Sequence, residues 1–292
     1  MKEEKAKKQK KPKEGRRLKT LTVTNSLMPF IMPQRCDALN YIADSIDIGN
    51  IEKYVARKRA EGYESFGIIH VILAAYVRTV AERPQINRFV RGQRIYARNG
   101  IQINMTIKKE MTAEAPDTII QIDPSPYATA VDIYKEFDEK VRISKQAEDT
   151  SFDSLAKAVN SMPRFILRFF IRLLNFLDYY GLLPRALTDL SPFHGSLVIT
   201  SMGSLGIPPI YHHIYNFGNV PLFIAFGQKR IENVLKADGT VVTRKMIDYK
   251  ITTDERTCDG FTYALALKNL RFYLKNPEKL DVPPVKIEED IR

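Results

Sequence analysis

Thr252-Thr253-Asp254-Glu255-Arg256-Thr257-Cys258-Asp259-Gly260-Phe261 joins an extended stretch to a helical one. Upstream, residues 241–253 read as a strand. Downstream, residues 261–274 read as a helix that stops before Asn276-Pro277-Glu278. Between them, four charged side chains and a glycine crowd into a short turn.

Before this turn lies a second strand with a glycine-rich exit, Gly195-Ser196-Leu197-Val198-Ile199-Thr200-Ser201-Met202-Gly203-Ser204-Leu205-Gly206. Residues 222–227 make another strand. Nearer the N-terminus, residues 20–46 look extended and short-period. Asp47-Ile48-Gly49-Asn50 opens a helix to about residue 61, with Asn50 as its N-cap. Residues 66–83 predict a buried helix, capped by Ser65 and ended by Pro84. Two alternating runs, 87–97 and 101–108, meet at Arg98-Asn99-Gly100, and Asn-Gly between such runs predicts a hairpin. A strand at 118–122 and a long helix to about residue 145 follow, separated by Asp123-Pro124-Ser125-Pro126. Interspersed strands and helices, with several strands apolar enough to be covered on both faces, predict an α/β fold: a mixed sheet with covering helices. No Gly, Ser or Pro-rich linker divides the chain, so residues 19–292 are read as one domain after a basic tail at 1–18.

Residues 165–177 are apolar except for Arg168, Arg172 and Asn175. With Arg164 these polar residues fall within about 80° of one another at a helical period. Burial inside the protein or between subunits is one reading of this helix. Peripheral membrane contact through residues 162–180, with the arginines toward headgroups, is the other.

The turn at 254–260 resembles the D-H-R-x-x-D-G signature of the 2-oxo-acid dehydrogenase (dihydrolipoamide) acyltransferase catalytic domains, and Cys258-Asp259-Gly260-Phe261 is similar to the related chloramphenicol acetyltransferase signature. Asp254, Arg256, Asp259 and Gly260 match, and Glu255 stands at the family's histidine. The 195–206 stretch resembles the family's G-T-F-T-I-S-N-L-G-x-x-G strand and loop, with Thr200 at the position of its serine. The helix at 66–83 with Pro84-Gln85-Ile86-Asn87 resembles the family's helix and P-x-L-N turn.

That resemblance implies a chloramphenicol-acetyltransferase-like fold and a homotrimer with active sites between subunits. It also implies acyl transfer between coenzyme A and a second thiol. Thr200 would take the oxyanion role, Glu255 the place of the base, and Asp259 an ion pair that holds the turn, with Arg256 and Gly260 structural at the site. An ordinary glutamate, with a pKa of about 4.3 against about 6.5 for histidine and about 8.5 for a thiol, is a weak base toward a thiol unless burial raises it. Otherwise Glu255 and Arg256 form a local ion pair in a retired site. His212 and His213, on the loop after the Thr200 strand, are auxiliary candidates or surface histidines. Relative to the family the chain shows no lipoyl or subunit-binding segment, and residues 151–190 read as an insertion. The expected activity is a stand-alone, coenzyme A-dependent acyltransferase. The alternative is an inactive scaffold or assembly subunit, membrane-associated through the arginine-striped helix.

Composition bounds these readings. The 292 residues, 44% hydrophobic and 27% charged, suit a soluble globular chain. The net charge of +11 is concentrated: residues 2–17 hold nine Lys/Arg against three Glu. Such a tail predicts a solvated arm, and the body lacks the aromatic-interleaved basic motif of specific nucleic-acid binding. Two distant cysteines, Cys36 and Cys258, predict neither disulfide nor thiolate metal site. Histidines without acidic or cysteine partners at ligand spacing argue against any metal. Lacking an apolar span or signal sequence, the chain is expected in the cytoplasm.

Overall fold

The computed structural model describes residues 14–108, 117–146, 159 and 161–292. Its strands are β1 (Gly15–Arg17), β2 (Leu39–Asp47), β3 (Arg88–Arg91), β4 (Arg94–Arg98), β5 (Ile103–Lys108), β6 (Asp117–Ile122), β7 (Leu197–Ser201), β8 (Leu222–Leu235) and β9 (Val241–Asp254). Six of them form one sheet in the order β2-β9-β8-β7-β5-β6. The β5–β7 and β7–β8 pairings are parallel and the others antiparallel, so the sheet is mixed, as predicted. A smaller sheet has the order β1-β4-β3.

The helices include α1 (Val23–Ile31), α2 (Gly49–Ala60), α3 (Ile68–Glu82), α4 (Ala130–Gln146), α5 (Arg164–Tyr179), α6 (Arg185–Leu190) and α7 (Gly260–Lys275). Helix α3 is buried at every position from His70 to Ala81, which is why its sequence shows no polar face. It shares one core with alternate sheet residues, among them Ile103, Leu197, Ile199, Ile224 and Ile251, and with the inner faces of α4 and α7.

His70 sits in this core with Nδ1 accepting the Gly67 N–H at 2.8 Å, so it rather than Ser65 caps α3. Burial pulls its pKa from 6.5 down to about 4, against the opposing pull of Asp138. Between those two values the unfolded chain binds a proton that the folded chain refuses, so stability is full above pH 6.5 and falls as the pH drops toward 4. The expected loss is on the order of 3 kcal/mol. Thermal melts at pH 7 and pH 4.5 should show a larger drop for the native chain than for His70→Gln.

Several expectations are corrected. The basic tail does not extend to residue 18: Gly15–Arg17 pair with β4, and Leu18 is buried in a small core with Val90 and Ile95. Residues 1–13 lie outside the described set. The extended reading of 20–46 holds only for β2, because Thr22 accepts the Asn25 N–H and starts α1. Asn50 is already inside α2 and donates to the Lys275 carbonyl, while Asp47 accepts the Gly49 N–H. The hairpin lies elsewhere too. Gly92 and Gln93, at φ 54° and 57°, join β3 to β4 in the left-handed pair that a tight hairpin needs. Asn99-Gly100 instead turns the corner from the small sheet into the large one. Strand β8 continues past Gly227 through an irregularity between Phe226 and Lys229, because β9 pairs with it as far as Leu235.

Candidate active site

β7 ends at Ser201, and the chain must leave the sheet at once. Gly203 and Gly206 allow this: a Cβ at Gly203 would stand 2.7 Å from the Gly227 carbonyl, and Gly206 has φ 70°. The exit opens on a cavity of about 900 Å³ with a mainly apolar wall, including Met105, Val198, Phe217, Phe223 and Phe226. Thr200 lines it, and its hydroxyl makes no hydrogen bond among the described residues.

His212 lines the same cavity, stacked on Phe223 at 4.3 Å between ring centres with its buried Nε2 unpartnered among the described residues. Burial, reinforced by the neighbouring His213, lowers its pKa and keeps the ring neutral. His213 is exposed and packs its edge on Tyr215. His194 is structural, held between Ser191 and Asp178.

The 254–260 turn is built differently from the sequence expectation. Asp254, 1% exposed, takes Nε and Nη2 of Arg256 at 2.8 Å each and Nε of Arg35 at 3.2 Å. Arg35 also donates to the carbonyls of Tyr215 and Gly218, and Arg256 to those of Met32 and Pro33. One carboxylate thus ties the turn, the 32–35 segment and the cavity loop together. The ion pair expected of Asp259 belongs to Asp254, since Asp259 is exposed and caps α7 by accepting the Thr262 N–H at 2.8 Å. Arg256 is likewise spoken for by Asp254 rather than Glu255. A Cβ at Gly260 would meet nothing within this chain. Sequence reading missed Arg35, which stands alone between Gln34 and Cys36 with no local pattern to mark it.

Glu255 is exposed, its backbone N–H bound to the Ala38 carbonyl and its side chain away from the cavity wall. Strand register measures the gap. Thr200 lies opposite Ala225, and Ala225 opposite Lys250. Glu255 is therefore five residues further along β9's direction, about 16 Å at the usual strand rise. Within one chain the two side chains do not meet. Cys258 is buried, which pushes its thiol up to about 12 and leaves it unreactive. Among the described residues no cluster of His, Cys, Asp and Glu fits a metal.

The model of the family 2-oxoacid dehydrogenases acyltransferase (catalytic domain) matches residues 187–282, the segment holding both Thr200 and Glu255. Among solved structures the chain is similar to a probable dihydrolipoamide acetyltransferase from Listeria monocytogenes 4b F2365, at 16% identity over 87% of this chain and 90% of that one, with a TM-score of 0.57. The cubic core of the pyruvate dehydrogenase multienzyme complex is similar at 13% identity, 88% of each chain and 0.58. A chloramphenicol acetyltransferase is similar at 16% identity, 86% of this chain and 94% of that one, and 0.50. No curated protein matches the sequence. The family match bears out the resemblance over residues 187–282, and the solved structures bear out the fold, which is chloramphenicol-acetyltransferase-like.

Proposed function

We propose that the chain is an acyltransferase that moves an acyl group between the thiol of coenzyme A and an acceptor, working in the cytoplasm as a homotrimer whose sites lie between copies. The observation that carries this reading is the Thr200 hydroxyl, without a hydrogen-bond partner among the described residues, at the mouth of a glycine turn, in a large apolar cavity, within the segment that the acyltransferase family model matches. The wall suits an acyl thioester, and the exposed Lys145 that borders it suits a phosphate of the carrier. The 16 Å gap along the strands supports a site shared between copies, because Glu255 reaches Thr200 only from a neighbour.

In this reading Glu255 accepts the proton of the attacking thiol as sulfur bonds to the acyl carbon. The carbonyl oxygen gains negative charge and is held by the Thr200 hydroxyl. When the carbon–sulfur bond to the first carrier breaks, Glu255 returns the proton to the departing sulfur. His212, neutral and facing the same cavity, serves as an auxiliary acceptor. Asp254, Arg256 and Arg35 hold the turn, with Asp259 and Gly260 starting the helix behind it.

Calorimetric titration of the folded oligomer with coenzyme A and acetyl-coenzyme A tests this directly. Micromolar binding is expected, with turnover on a thiol acceptor falling about 10²–10³-fold in Thr200→Val and about 10²–10⁴-fold in Glu255→Gln. A folded oligomer that binds neither compound would sink the enzyme reading in favour of a scaffold or assembly subunit.

A further inference from the structure

Helix α5 presents a surface that the acyl-transfer reading does not use. Phe165, Phe169, Leu173, Phe176 and Tyr180 recur at spacings of four and three, so they form one row within about 80° of the helix circumference. All five are exposed, Phe165 to 74% and Phe169 to 69%. Immediately beside the row, in the next quadrant, stand Arg164, Arg168 and Arg172, exposed as well. The protein side of the helix is the arc of Leu167, Phe170, Leu174 and Leu177, which are half-buried, and Asp178, which is buried.

The helix is anchored at its C-terminal end. Asp178 holds His194 with one oxygen and accepts the Gly218 N–H with the other, while the Tyr179 hydroxyl donates to Gln93. The only acid of the helix is therefore inside and engaged, and the outward surface carries aromatic rings and guanidinium groups with no carboxylate.

We infer that α5 docks the protein on an anionic lipid bilayer, lying in the interface with its aromatic row in the acyl boundary and Arg164, Arg168 and Arg172 among the phosphates. Charge complementarity selects this occupant. A second copy meeting the same helix about a two-fold axis would set arginine rows near each other with no acid to separate them. A bilayer rich in anionic headgroups supplies the missing negative charge along the whole edge. At 16 residues the helix is about 24 Å long. No described helix is long and apolar enough to cross a membrane, so α5 lies flat.

The chain contains no tryptophan, so Phe169→Trp installs a single reporter at the centre of the row. With the full chain and vesicles of phosphatidylcholine alone or mixed with phosphatidylglycerol, a blue shift of its emission is expected only with the mixed vesicles. Flotation should show Phe165→Ser/Phe169→Ser/Phe176→Ser bound about tenfold less, with oligomer mass unchanged. The set Arg164→Gln/Arg168→Gln/Arg172→Gln should lose the preference for anionic vesicles. An unshifted reporter with both vesicle types would overturn the inference. So would a serine variant whose oligomer mass changes while vesicle binding persists, since α5 would then be a contact between copies.

Discussion

Asp254→Ala is expected to destabilise the folded chain by about 3–5 kcal/mol, the cost of leaving buried guanidinium charge unpaired. Arg35 and Arg256, each 4% exposed, both turn to this carboxylate, and their remaining donors are committed to backbone carbonyls. Neither can swing to solvent without releasing the 215–218 loop or the 32–33 segment. For a chain of this size the loss corresponds to a melting midpoint lowered by roughly 5–8 °C. Glu255→Gln, at the next position but exposed, should stay within about 0.5 kcal/mol of the native chain. Melts of the three proteins at one concentration decide the matter. Similar midpoints for all three would mean that the motif's aspartate is dispensable to the fold.

Gly218→Ala should cost about 3 kcal/mol or more, by adding a steric clash to a backbone penalty. The residue has φ 88°, and a Cβ there would sit 2.0 Å from the Phe193 carbonyl oxygen. That oxygen accepts the N–H groups of Asn219 and Val220, and Gly218 itself bonds Asp178 and Arg35. A methyl group therefore pushes the turn off Phe193 and disturbs the cavity wall beside Phe217. Gly239 makes the control: its φ is 81°, but a Cβ would meet nothing within 4 Å. Gly239→Ala should cost only the left-handed backbone penalty of about 1–2 kcal/mol. Chemical denaturation of the pair isolates the clash as the difference, and equal losses would show that the Phe193 contact yields freely.

These two predictions mark where sequence reading reached and where it stopped. Local periodicity made the strand before residue 254, the helix after it and the buried α3 legible. Gly203 and Gly206 were legible too, because a chain leaving a sheet beside another backbone needs residues without a Cβ. The Asn-Gly at 99–100 misled for a physical reason: a left-handed glycine serves a corner between sheets as well as a hairpin, and only the pairing partners distinguish them. The role given to Asp259 went instead to Asp254. Both aspartates lie within a few residues of Arg256, and which one meets the guanidinium depends on the fold of the turn.

By itself the sequence determined the alternation of elements, the apolar helix that the sheet packs against, and the two short motifs that carry the acyltransferase likeness. These depend on spacing along the chain, where side-chain direction repeats every two residues or about every 3.6. Tertiary structure alone decided that Arg35 meets Asp254 across 219 positions. It alone placed Thr200 and His212 on one cavity, set Glu255 some 16 Å away along the strands, and turned the aromatic row of α5 outward. Such pairings are chosen by the closure of the whole sheet and leave no period in the sequence to read.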